Sequence, residues 1–132
     1  MNSINLLQSA LGASSLRQQV TSNNLANSEV PGYKAKQVLF EDILKRKLAN
    51  QDQSNFVGKR TDSRHILIGD SSGIPTAQIL ENSETVMQNN GNNVDVDLEM
   101  TNMGKNALWY NSLTQQLNNQ FQELSIAITG RR

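Results

Sequence analysis

Two short stretches of this 132-residue chain carry side chains of the kinds that do chemistry. Asp62, Ser63 and His65 supply an acid, a hydroxyl nucleophile and a base, the residue types of a hydrolytic triad. They fall within four consecutive positions of a polar stretch, whereas triad members converge from separate parts of a rigid scaffold. Local packing or capping by His65 is the simpler expectation. Asp95, Asp97 and Glu99 offer oxygen ligands for a hard cation, but no calcium-loop glycine and distal glutamate follow at the required spacing. As acids in the first turn of a helix they are favoured by the positive end of its dipole, and that accounts for them without a metal. A single histidine and no cysteine leave no transition-metal cluster, disulfide or thiolate nucleophile. No phosphate-cradling glycine loop follows a strand. The expectation is a non-enzyme with no cofactor, no metal and no small-molecule substrate.

What positions these residues begins with composition. Twelve basic residues balance twelve acidic ones, and 36% of the chain is apolar. With no dense Lys/Arg stripe there is no electrostatic footprint for nucleic acid; Lys45-Arg46-Lys47 reads as the solvated face of a helix. No window approaches 18 consecutive apolar residues, so nothing is expected to span a membrane. Met1-Asn2-Ser3-Ile4-Asn5-Leu6-Leu7 lacks the basic start and long apolar centre of a cleaved secretory signal. The 17 Asn and 12 Gln together outnumber the charged residues, so solubility rests on neutral amides.

The most regular pattern lies at the C-terminal end. Val96, Met100, Met103, Ala107, Tyr110, Thr114, Leu117, Phe121, Leu124 and Ile128 alternate spacings of four and three without a slip, a coiled-coil seam. Leu98, Leu108, Trp109 and Leu113 widen it. The helix is expected to open at the acids of 95–99 and to stop at Gly130, with Arg131-Arg132 at its negative end. Its flanking positions carry Asn and Gln where a solvated coiled coil carries Glu and Lys. Amides cost less to desolvate than charges, so this amide face too is expected to become buried against other subunits.

A second helix is expected over about residues 4–28. Ile4, Leu7, Leu11 and Leu25 project one way, with Leu6, Ala13, Leu16 and Val20 nearly opposite. A helix apolar on two sides requires two partners. Val30-Pro31-Gly32 ends it, since Pro31 disfavours helix at Val30 and Gly32 accepts a turn. Phe40, Ile43, Leu44 and Leu48 mark a short helix over 38–49. Residues 50–64 read as loop, and no order is assigned to 50–80 as a whole. His65-Ile66-Leu67-Ile68 and Thr85-Val86-Met87 could be short extended pieces. The reading is all-α: long N- and C-terminal helices in an antiparallel coiled-coil-like hairpin, with a short helix and a loop or short-strand middle. Its segments are 1–30, 31–93 and 94–132. Apolar stripes that one monomer cannot cover are assembly surfaces, and repeated contacts that do not close into a ring build helical filaments.

Asn23-Asn24-Leu25-Ala26-Asn27, a short spacer and then Pro31-Gly32-Tyr33-Lys34 resemble the N-terminal signature of bacterial flagellar rod and hook axial proteins. Tyr33-Lys34-Ala35 with Val38-Leu39-Phe40-Glu41, and Asn92-Asn93-Val94-Asp95-Val96-Asp97-Leu98-Glu99-Met100 with Lys105-Asn106-Ala107-Leu108, narrow the resemblance to the proximal rod proteins of the FlgB family. Thr61-Asp62 and Arg64-His65-Ile66 are similar to the middle segment of that family. The resemblance implies a structural subunit of the basal-body rod, the hollow drive shaft outside the cytoplasmic membrane. It implies export through the flagellar type III apparatus without a cleaved signal. Implied partners are copies of itself, other rod proteins, and the basal-body adaptor and export gate at the rod base. In the assembly so implied, Met103, Ala107, Tyr110, Leu117, Phe121, Leu124 and Ile128 bury against the N-terminal helix of the same or a neighbouring subunit. Leu6, Leu11, Leu16, Val20 and Leu25 form the complementary face. The competing reading is a small secreted helical hairpin that binds a discrete export chaperone or effector.

Overall fold

A computed structural model describes residues 3–51, 75–82 and 91–130. The elements run α1 (Ser3–Ala26), β1 (Lys36–Leu39), α2 (Glu41–Gln51), β2 (Gln78–Glu81) and α3 (Val96–Thr129). Asp62, Ser63, His65 and the extended pieces expected at 65–68 and 85–87 lie outside the described residues.

Helix α3 starts and stops where its sequence provides for it. The Asp95 carboxylate accepts from the Leu98 N–H at 3.1 Å, satisfying one of the free donors of the first turn. At the other end Gly130 takes the left-handed conformation (φ 63°), and its N–H reaches the Ile126 carbonyl at 2.8 Å. Helix α1 ends in a succession of turns. The N–H groups of Asn27, Ser28 and Val30 bond to carbonyls three or four residues back, and Gly32 (φ 72°) turns the chain outward.

α1 and α3 pack antiparallel along their lengths, as the hairpin reading expects. Ser3 donates to Gln120 near one end, Ser14 meets Asn106 in the middle, and Asn24 meets Glu99 near the other. With 34 residues against 24, α3 runs on past the start of α1.

The middle departs from expectation. The short helix placed over 38–49 begins only at Glu41, and the residues just before it form β1. β1 pairs antiparallel with β2, Lys36 opposite Glu81 and Leu39 opposite Gln78, so part of the stretch left without assigned order is strand. Two strands of four residues are too short for an alternation signal to stand out. Phe40, between β1 and α2, is buried against Ala10, Ala13 and Leu113, with Leu7, Leu11, Leu44 and Ala77 around them. This small core wedges the middle segment between the two long helices.

Candidate assembly surface

The face that joins α1 to α3 within the subunit is not the apolar seam. The buried residues of α1 are Ala10, Ala13, Ser14, Val20, Thr21 and Asn24, and those of α3 are Glu99, Asn106 and Leu113. Small side chains let the helices approach, and polar ones hydrogen-bond across. Ser14 Oγ donates to Asn106 Oδ1 at 2.9 Å, while Asn106 Nδ2 donates to the Ser14 carbonyl at 2.9 Å and to Gln18 Oε1 at 3.1 Å. Among the described residues every buried side-chain polar atom has a partner.

The ten seam residues of α3 follow a different line. Met103, Thr114 and Leu117 are half-buried; Val96, Met100, Ala107, Tyr110, Phe121, Leu124 and Ile128 are exposed. Ile128 is 84% exposed and Leu108 71%. Burial against α1 of the same subunit therefore fails for Ala107, Tyr110, Phe121, Leu124 and Ile128. The physical reason is positional. The seam sits one or four residues on from the buried positions Glu99, Asn106 and Leu113, which turns it about 40–100° around the helix at 100° per residue. From Phe121 onward every described residue is exposed, because α1 does not extend that far. On α1, Val20 is buried, whereas Leu6, Leu11, Leu16 and Leu25 are only half-buried.

The motif residues divide in the same way. Asn23, Ala26, Pro31 and Gly32 are exposed, Asn27 and Tyr33 are half-buried, and Asn24 is completely buried. The Asn24 carboxamide is a hub. Its Nδ2 donates to the Lys36 carbonyl (2.8 Å) and to Glu99 Oε1 (3.2 Å), and its Oδ1 accepts from the Lys36 N–H (3.0 Å) and the Tyr33 hydroxyl (3.2 Å). Beside it, Asn92 Nδ2 donates to the carbonyls of Asn27, Ser28 and Val30 at 2.9–3.0 Å, while its Oδ1 accepts from Val94 N–H at 2.7 Å. Asn92 thus caps the C-terminal end of α1 from a segment more than sixty residues away in sequence. Asn93 links the Ala35 N–H to the Asn82 carbonyl. These residues form a polar clasp over the closed end of the hairpin.

Sequence reasoning missed most of the clasp. The amides flanking the α3 seam, Asn106 among them, are expected to face other subunits, yet Asn106, like Asn24, Asn92 and Asn93, is buried inside the subunit. A signal was available in the strict seven-residue spacing of Glu99, Asn106, Leu113 and Gln120, which the stronger apolar seam eclipsed. The acids of 95–99 do not converge: Asp95 caps α3, Asp97 is exposed, and Glu99 turns inward to Asn24.

A groove of about 480 Å³ runs between α1, β1 and α3, with Val20 and Val38 in its lining and Trp109, Lys36 and Lys105 among the other lining residues. Arg17 and Glu41 also line it, paired at 2.6 and 2.8 Å. Burial alone would push the Glu41 carboxyl up; the Arg17 hydrogen bond and charge, with local backbone hydrogen bonds, outweigh it and hold Glu41 below its ordinary value. Burial first, then the charges of Glu81 and Glu99, pushes the Tyr33 phenol up. Neither shift prepares a nucleophile or base, because each group is held by a structural partner.

A family model described as flagella basal body rod protein matches residues 4–34, which cover α1 and the turn through Tyr33. The flagellar basal body rod protein FlgB of Bacillus subtilis (strain 168) is 37% identical over 94% of this chain and 91% of its own. This chain belongs to the FlgB family of flagellar basal body rod proteins. FlgB of Borreliella burgdorferi is 30% identical over 86% of both chains, and FlgB of Escherichia coli (strain K12) 29% over 87% and 84%. The matched segment of this FlgB-family chain ends at Lys34, whose Nζ donates to the Gly91 carbonyl at 3.0 Å. The N-terminal signature is therefore tied, within one subunit, to the segment that leads into α3. Among the described residues no helix is long and apolar enough to cross a membrane.

Proposed function

We propose that this FlgB-family chain is a structural subunit of the proximal rod of the bacterial flagellar basal body, and that the exposed apolar stripe of α3 is its contact with neighbouring subunits. One observation carries the reading. The hairpin closes on a small and polar face, while the seam residues Met100, Tyr110, Phe121, Leu124 and Ile128 stay open to solvent. A stripe of that length along one helix marks an interaction surface.

The half-buried leucines of α1, Leu6, Leu11, Leu16 and Leu25, supply the complementary face in the neighbouring copy or rod protein. The exposed amides of α3, such as Asn111, Gln115, Asn118 and Asn119, line the flanks of the same contact and help set lateral register. The partners are copies of this chain, other rod proteins, and the adaptor and export gate at the rod base. The subunit leaves the cell through the flagellar type III apparatus without a cleaved signal and takes its place outside the cytoplasmic membrane. Its role is mechanical rather than catalytic: torque passes through the interlocked helices.

The test is the double substitution F121D/L124D. Both positions are exposed in the lone subunit, so helix content by circular dichroism should match the wild type. Rod incorporation and swimming should be lost. Normal motility with the variant present in purified basal bodies would overturn the assignment of this stripe.

A further inference from the structure

The contacts between α1 and α3 repeat with one period. On α1, Ser3, Ala10, Arg17 and Asn24 are each seven residues apart, and on α3 so are Glu99, Asn106, Leu113 and Gln120. In the antiparallel pair Ser3 donates to Gln120 at 2.7 Å, Ala10 shares the core with Leu113, Arg17 and Asn106 line the same groove, and Asn24 donates to Glu99. Each rung differs chemically from the next: polar, apolar, polar, and one with a buried acid.

A seven-residue repeat built from uniform apolar residues would tolerate sliding by a heptad, since each slipped arrangement presents similar contacts. Here sliding breaks pairs. Moving α3 one heptad toward the start of α1 sets Leu113 level with Ser3 and Asn106 level with Ala10. Moving it the other way sets Leu113 level with Arg17 and Gln120 level with Ala10. Either slip takes Asn106 from Ser14 and Gln18 and takes Asn24 from Glu99, stranding buried polar groups. Single buried polar positions are known to fix register in this manner at some cost in stability.

We propose that the polar rungs of the α1–α3 face, Asn24 with Glu99 and Asn106 with Ser14 and Gln18, are a register code. The code sets how far α3 projects beyond α1. In the paired register the projection is residues 121–129, about 14 Å of helix bearing Phe121, Leu124, Ile126 and Ile128. A one-heptad slip would lengthen or shorten it by about 10 Å. The consequence for rod contacts rests on the assembly reading above. The code itself belongs to the single subunit and is tested there.

The chain has no cysteine, so disulfide trapping needs no prior replacement. The pair S3C/Q120C reports the observed register, and S3C/A127C reports a slip of one heptad. In the otherwise wild-type purified chain only S3C/Q120C should cross-link under mild oxidation. In the background N24L/N106L, which keeps side-chain size and removes the amides, S3C/A127C cross-linking should rise at least tenfold. A second background, N24L/N106L/L113N, removes the Asn24–Glu99 rung and moves the other amide one heptad along α3. Sliding α3 by that heptad restores the amide to Ser14 and Gln18, sets the new leucines at positions 106 and 24 level with each other and sets Ala127 level with Ser3, so S3C/A127C should again be favoured. Slipped cross-links in the wild-type background would overturn the proposal. So would retention of S3C/Q120C alone in N24L/N106L/L113N, which also decides the matter if N24L/N106L does not fold. Because these outcomes are read on isolated protein, a motile F121D/L124D strain would sink the assembly reading and leave them standing.

Discussion

Asn24 Nδ2 donates to Glu99 Oε1 at 3.2 Å, so the last turn of α1 is joined to the first turn of α3 by two buried side chains. The same carboxamide serves Lys36 and Tyr33, and removing it strands several buried partners at once. An unsatisfied buried polar group costs about 1–3 kcal/mol, more when charged. N24A should therefore lower unfolding stability by at least that amount. N23A, one residue earlier on an exposed side chain, should stay within about 0.5 kcal/mol of wild type. Urea denaturation of the two variants side by side checks this, and equal losses would show that the motif's two asparagines do not differ as the geometry requires.

How legible this was depends on what each part uses for cohesion. The caps were legible because Asp95 and Gly130 act through local backbone chemistry, and so was the exit of α1 at Val30-Pro31-Gly32. The apolar stripe of α3 was visible as a seam, but its direction was not. Hydrophobic periodicity finds the most apolar face of a helix and assumes that face looks inward. Here the inward face carries Ser14, Asn24, Glu99 and Asn106, which periodicity scores as surface. The clasp was harder still, since Asn92 reaches α1 across more than sixty residues and no local pattern announces it. Phe40 was counted into a helix because its spacing to Ile43 and Leu44 fits one. Its side chain instead fills the gap between α1 and α3 just before α2 begins.

The Arg17–Glu41 pair makes an acid-side prediction. Glu41's folded value lies below its unfolded one, so its stabilisation is present above the unfolded value and disappears as pH falls through the folded one. The unfolded value is about 4.3, which places the loss below that pH. Both side chains are partly exposed, at 24% and 55%, so the contribution is that of a surface pair, about 0.2–1 kcal/mol. E41Q should be less stable than wild type at pH 7 by about this much, and the gap should close toward pH 3. Denaturation midpoints across that range decide it; a gap that stays constant with pH would count against the pair.

Two glycines should respond in opposite directions to alanine. Gly12 lies inside α1 with open space where a Cβ would stand, so G12A should raise stability by about 0.5–1 kcal/mol through helix propensity and a less flexible unfolded chain. Gly32 also has open space, but its φ of 72° penalises any Cβ through the backbone itself, by about 1–2 kcal/mol. Melting temperatures of G12A and G32A should therefore move up and down respectively. If both rise, the turn after Pro31 does not hold the left-handed conformation in solution.

Asn92 offers the sharpest contrast between losing a donor and reversing its sign. Its Nδ2 lies 2.9–3.0 Å from three carbonyl oxygens at the end of α1. N92A removes those bonds and leaves the carbonyls short of partners, a loss of about 1–3 kcal/mol. N92D does more: it sets a buried carboxylate oxygen against three acceptors, with no proton to share unless the acid is neutral. The folded state then favours the protonated acid, raising its pKa above the unfolded value of about 3.9. By linkage the added penalty is absent below that unfolded value and grows as pH rises through the folded one. At pH 7 N92D should therefore be less stable than N92A, and on acidification the two should converge. Unfolding curves at pH 7 and near pH 3.5 give the comparison directly, and a pH-independent ordering would mean that Asn92 does not face those carbonyls through its amide nitrogen.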